Sequence, residues 1–178
     1  MTFVGAGILI YATKPDGHIV FLLGKENKGT DDARNGLYSD FGGHREKNEK
    51  PIDTAYREFK EETMNAIGKG ELIKKMLKKP TMLYIGDNNY HEYIIKLEYN
   101  DDLPGIYNRI MKELEKCMTY KKYRNHKHLS IPTCPIGLCE KSEFKWFKPS
   151  EIIKNKHKMR PVFYKTFENI LLTLRSRG

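Results

Sequence analysis

Apolar residues crowd positions 4–11, give way to Lys14-Pro15-Asp16-Gly17, and return over 19–23. Two β-prone runs split by a proline–glycine turn predict a strand hairpin. Residues 25–36 are polar and carry Asp31-Asp32 and Asn35-Gly36, which predicts a loop. A short strand over 37–41 then delivers the chain to Gly42-Gly43. From Pro51 the period changes: Ile52, Ala55, Tyr56 and Phe59 recur at helical spacing, with Pro51 suited to a first turn. A basic helix is predicted over 70–79, stopped by Pro80. Strands over 81–85 and 90–99 make a second hairpin around Asp87-Asn88-Asn89. Residues 106–118 read as an amphipathic helix and 144–147 as a last strand. A closing helix over 161–175 places Val162, Phe163, Phe167, Ile170 and Leu171 on one side. No internal repeat or low-complexity linker divides the 178 residues, so a single domain over 1–178 is expected.

The chemistry concentrates in residues 43–62, GHREKNEKPIDTAYREFKEE. Glu58, Glu61 and Glu62 stand at i, i+3 and i+4, so one helix face carries all three acids. Like charges at that spacing each cost a few tenths of a kcal/mol, roughly, in an isolated helix. Something positive must offset the repulsion, and a hard divalent cation is the natural candidate.

This run resembles the signature of the Nudix hydrolases: a glycine, five free positions, a glutamate, seven free positions, then Arg-Glu-apolar-x-Glu-Glu-x-Gly-apolar. Gly43, Glu49, Arg57, Glu58, Phe59, Glu61 and Glu62 all fall in place. Two positions depart, with Met64 at the final glycine and Asn65 at the final apolar position. A helix running one residue longer and capped at Asn65 would leave the acids undisturbed. The resemblance implies an α/β fold, the α/β/α sandwich with a mixed β-sheet between helices. It implies Mg²⁺ or Mn²⁺ held by Glu61 and Glu62 with a backbone carbonyl from Gly42-Gly43, and Glu58 as a further ligand or the general base. Arg57 is implied to pair with Glu49 and orient the loop. A later acid commonly joins the site; Glu140 is preferred over Glu143, which sits inside the following strand where the pleat alone sets its direction. The implied reaction is attack of metal-activated water on a diphosphate.

Beside a compact Nudix domain, residues 103–135 look like an insertion carrying Lys121, Lys122, Tyr123 and Arg124, followed by Asn125-His126-Lys127-His128. Basic residues interleaved with tyrosines can bind phosphates and stack a base or cap, against the plainer reading of a solvated loop. The formal net charge is +9, which favours phosphate-rich ligands and fits polyanions such as RNA. From Lys148 onward eight Lys or Arg residues face only Glu151 and Glu168. Small nucleotides, diphosphoinositol polyphosphates and the 5′ end of capped RNA stay open as substrates. Capped RNA gains most from positive charge, and the run Tyr38-Ser39-Asp40-Phe41-Gly42-Gly43, with Thr63-Met64 after the acids, is similar to Nudix proteins of large DNA viruses, which favours decapping. A non-catalytic RNA-binding module of the same fold is the alternative, opposed by the full set of box acids. No apolar run is long enough to span a membrane, no leader is evident, and a cytoplasmic protein is expected. Cys117, Cys134 and Cys139 lack C-x-x-C pairing, so they read as reduced thiols, not as a zinc site with His126 or His128.

Overall fold

The computed structural model describes residues 3–27, 32–68, 70–86, 88–123 and 140–176, with the side chains of 115–123 and 174–176 excepted. Alternation in the first apolar run builds β1 (Gly5–Thr13), and β2 (Ile19–Glu26) returns antiparallel to it. β3 (Tyr38–Ser39) and β4 (Phe41–His44) follow, then α1 (Pro51–Thr63) and α2 (Gly70–Lys78). β5 (Met82–Ile85) and β6 (Tyr90–Lys96) form the second hairpin, with β6 parallel to β1. α3 (Asp102–Tyr123), β7 (Lys141–Phe147), α4 (Pro149–Lys154), a 3-10 turn (Lys156–Lys158) and α5 (Pro161–Ser176) complete the chain.

The seven strands make one mixed sheet in the order β3-β2-β1-β6-β5, with β4 paired to β1 and β7 to β2. One face buries Ile8, Ile10, Leu22, Phe41 and Phe144 against Ala55 and Phe59 of α1, Ile73 of α2 and Tyr107 of α3. The other buries Leu9, Phe21, Ile94 and Phe147 against Ile152 of α4 and Phe163, Phe167 and Ile170 of α5. Helices thus cover both faces, the α/β/α sandwich expected.

Several boundaries differ from the sequence reading. The strand expected over 37–41 is two strands, and pairing continues through Gly42-Gly43 because they lie beside Ala6 and Gly7 of β1. A Cβ on Gly42 would collide with the Gly7 Cα. α3 begins at Asp102, since Pro104 and Gly105 are accommodated near the start of the helix, where a missing N–H costs nothing. Tyr107 and Met111 of α3 are buried, and the Tyr107 ring stacks on Phe144 at 3.4 Å. The segment read as an insertion therefore starts as part of the core. Val162, expected on the buried side of α5, is 68% exposed. α1 ends at Thr63, one residue earlier than expected, and Met64 itself caps it in the left-handed region (φ 50°), followed by Asn65 (φ 55°). Among the described residues, no helix is long and apolar enough to cross a membrane.

Candidate active site

Arg57 is the hub of the acidic helix face. Its Nε donates to Glu49 Oε1 at 2.8 Å and Nη2 to Glu49 Oε2 at 3.1 Å. Nη2 also donates to the His44 carbonyl at 2.9 Å, tying the end of β4 to α1. Glu49 Oε2 further accepts from Thr54 Oγ1 at 2.6 Å and from the Glu46 amide at 2.8 Å. The Arg57 hydrogen bond, with these others, pulls the Glu49 pKa down to about 2. Nη1 of Arg57 reaches Glu58 Oε1 at 2.8 Å and Glu61 Oε2 at 3.2 Å. The orienting Arg57–Glu49 pair thus exists, and the guanidinium also holds two of the three clustered acids.

Glu58 lies over Gly43, where a Cβ would stand 2.5 Å from the Glu58 carboxyl carbon. Burial raises the Glu58 pKa, Arg57 opposes the rise, and the charges of Glu61 and Glu140 add to it. Glu140, half-buried just before β7, thus acts on the Glu58 carboxylate, and its own carbonyl accepts from the Asn27 amide at 2.8 Å. Glu143 is turned to the opposite sheet face: it accepts from Tyr38 Oη at 2.9 Å and pairs with Lys25 at 3.5 Å.

Glu62 points inward and is 2% exposed. Its Oε2 accepts from the Gly42 amide at 2.9 Å, and its Oε1 meets Lys141 Nζ at 3.2 Å. Burial pushes the Glu62 pKa up to about 8, against the pull of Lys141. Lys141 is fully buried and also donates to Glu26 Oε1 at 2.7 Å and Ser39 Oγ at 2.8 Å. Burial opposes the lysine charge, but Glu62 and Glu26 outweigh it and hold its pKa above the ordinary value. Arg160 adds a longer contact to Glu26 at 3.8 Å. This buried ionic chain escaped the sequence reading, which began the last strand at 144 and so left Lys141 outside it, whereas β7 starts at Lys141. Its only signal was the adjacency of Lys141 to Glu140.

On the other side of Gly42-Gly43 lies a cavity of about 310 Å³ between the sheet and α5. Asp40, Tyr90 and Glu92 line it from the sheet, and Phe163, Lys165 and Asn169 from α5. Both Asp40 and Glu92 are buried, and neither was singled out in the sequence.

A family model for the NUDIX domain matches residues 1–170. The chain belongs to the Nudix family. It is a hydrolase acting on pyrophosphate bonds, in a family whose members generally use divalent metal ions. No curated protein shows significant sequence similarity to it. Solved structures of similar fold include a Nudix hydrolase from M. smegmatis, RenU, at TM-score 0.52 and 14% identity, covering 98% of this chain and 87% of that one. A C. elegans Ap4A hydrolase in a binary complex has TM-score 0.51 and 17% identity, covering 97% and 98% of the two chains. A bifunctional NMN adenylyltransferase/ADP ribose pyrophosphatase from Francisella tularensis, with AMP and Mn ion, has TM-score 0.55 and 15% identity. That match covers all of this chain and 42% of the other. At these identities the likeness is one of fold.

The donor set of this Nudix helix is chemically suited to a hard divalent ion, being carboxylate oxygens beside a backbone where any side chain would collide. Among the described residues, no three acidic, His or Cys side chains converge as metal ligands. Arg57 holds Glu58 and Glu61, and Lys141 holds Glu62. Lys121, Lys122 and Tyr123 fall in the last turn of α3, where side chains are not described, and Arg124 lies outside the described residues, as do Cys134 and Cys139.

Proposed function

We infer that this Nudix protein hydrolyses a diphosphate bond in a nucleoside diphosphate linked to a second moiety. The observation that carries the reading is the side-chain-free partition formed by Gly42 and Gly43. Glu58 stands against Gly43 on one side, while both glycines line the cavity on the other. A nucleoside in the cavity would send its phosphates across the glycines toward the acids of α1. The volume, about 310 Å³, suits a compact nucleoside. Arg160 and Lys165 bring positive charge to the same walls. The Ap4A hydrolase and ADP ribose pyrophosphatase of similar fold are named for substrates of this class.

Glu58, Glu61, Glu62 and Glu140, with the backbone at Gly42, would hold Mg²⁺ or Mn²⁺. When bound, the ion supplies positive charge that polarises the phosphate and acidifies a water. The chain's own residues do the rest. Glu58, its pKa raised by burial, takes the proton of the attacking water. Arg57 orients Glu58 and, through Glu49 and the His44 carbonyl, fixes the segment between β4 and α1. Lys141 and the Gly42 amide set the direction of Glu62.

A capped RNA belongs to the same substrate class, since its cap is a nucleoside joined through a phosphate chain, and the +9 charge favours it. In that case Lys121, Lys122, Tyr123 and Arg124 are the proposed RNA contacts. A panel of dinucleoside polyphosphates, ADP-ribose, capped RNA and a diphosphoinositol polyphosphate, incubated with Mg²⁺ or Mn²⁺, tests the reading by mass spectrometry of the products. Nucleotide release from at least one nucleoside substrate is expected. Cleavage of the inositol compound alone, or of nothing, overturns it, the latter in favour of a binding module.

A further inference from the structure

Arg160 stands where the buried ionic chain meets the cavity. It precedes Pro161 at the head of α5, and its amide donates to the Tyr38 carbonyl at 2.9 Å. The neighbouring Met159 is buried and bridges to Tyr38, so the backbone here is held to β3. The Arg160 side chain lines the cavity and is 28% exposed. Among the described residues its guanidinium makes no hydrogen bond, and its one ion pair is the 3.8 Å contact to Glu26 Oε1. That oxygen already accepts from Lys141 at 2.7 Å and from Ser39 at 2.8 Å. A guanidinium is a planar fork of N–H donors whose spacing matches the oxygens of a phosphate. This one reaches the cavity with its donors uncommitted.

The charge sits toward the glycine end. A Cβ on Gly42 or on Gly7 would collide with the Tyr90 hydroxyl, so that hydroxyl lies against the glycines. Burial raises the Tyr90 pKa, the charges of Asp40, Glu92 and Glu62 add to the rise, and Arg160 opposes it. Arg160 therefore lies within electrostatic reach of the hydroxyl at Gly42. Asp40 and Glu92, hydrogen-bonded to each other, line the same cavity. Acids there repel a phosphate, and a cation on the wall offsets that repulsion.

We propose that Arg160 is a substrate-contacting residue, its guanidinium donating to the non-bridging oxygens of the phosphate attached to the nucleoside. The inference rests on the reading of the cavity as the nucleoside site. Held there, the first phosphate is kept off Asp40 and Glu92, and the next one is directed across Gly42-Gly43 toward the acids of α1. Glu26 and Lys141 back the guanidinium from behind, so the same ionic chain braces a phosphate contact at one end and Glu62 at the other. A lysine at position 160 would supply the charge without the paired donors.

The test is calorimetric titration of the full chain with AMP and with adenosine, in chelator, so that neither metal nor hydrolysis contributes. The two probes differ only in the phosphate. Wild type is expected to bind AMP roughly tenfold to a hundredfold tighter than adenosine. In Arg160→Gln, with folding checked by thermal melting, adenosine is expected to bind as before and the AMP advantage to shrink to about threefold or less. Arg160→Lys is expected to keep an intermediate advantage. A full AMP advantage surviving in Arg160→Gln overturns the proposal. So does equal binding of AMP and adenosine by wild type, a result that leaves the cavity reading standing and needs no variant to fold. Binding of neither probe by wild type removes the cavity reading, and the proposal with it.

Discussion

Lys141 carries more of this structure than its place in the sequence suggests. It is the only cation joining Glu26 to Glu62 among the described residues, and all three side chains are almost wholly buried. Removing one partner of a buried ion pair strands the other charges in a poor solvent. Lys141→Met is expected to cost about 3–5 kcal/mol of stability, measured by denaturant unfolding. Adding Glu26→Gln to that variant is expected to restore part of the loss. An unchanged midpoint in Lys141→Met would show that the cluster is solvated. The neighbouring Glu62 gives a pH dependence. Its folded pKa, about 8, lies above its ordinary value of 4.5, so the folded protein holds this proton more tightly than the unfolded chain. That contribution is complete below about pH 4.5 and is lost as pH rises through about 8. With metal chelated, the stability of the wild type is expected to fall across that window, and Glu62→Gln to flatten the fall. The sequence displayed the acids of this residue cluster through their spacing. It concealed Lys141, Asp40 and Glu92, because nothing in a single chain distinguishes a charged strand residue facing inward from one facing water.

At the scale of elements, three pieces from distant parts of the chain meet at one hydroxyl. Tyr107 of α3 donates to the Glu62 carbonyl at the end of α1, at 3.2 Å, and to the Lys141 carbonyl at the start of β7, at 2.8 Å. Tyr107→Phe keeps the ring stacked on Phe144 but leaves both carbonyls without this donor. A loss of about 1–2 kcal/mol is expected in thermal or chemical unfolding. No measurable loss would mean that water replaces the hydroxyl. Elements with a strong period were legible: β1, β2, α1 and α5 follow their apolar spacing. α4 was not, since six residues beginning with Pro149 contain too few apolar positions to show a period. The early start of α3 was hidden by Pro104 and Gly105, which read as breakers but are tolerated so close to a helix start. The ends of β4 and α1 depend on what lies beside them. β4 runs through two glycines because β1 offers small residues opposite, and α1 stops where Met64 takes a left-handed turn.

Across the whole molecule, the mixed sheet brings two unlike surfaces together at Gly42-Gly43. One is the acid-rich face of α1, held by Arg57 and Lys141; the other is an aromatic cavity closed by α5. The first was readable from residues 43–62 alone. The second was not, because its walls come from β4, β5, β6 and α5, which only the fold makes neighbours. The proposed hydrolysis uses both sides, with the glycine partition between them. The most direct trial is turnover on a nucleoside diphosphate-linked substrate with Mg²⁺ or Mn²⁺, wild type beside Glu58→Gln. That substitution keeps the shape of the side chain over Gly43 and removes its capacity to take a proton. The account predicts a fall in kcat of at least about a hundredfold, with nucleotide binding to the cavity preserved. Turnover in Glu58→Gln within a few-fold of wild type would contradict it.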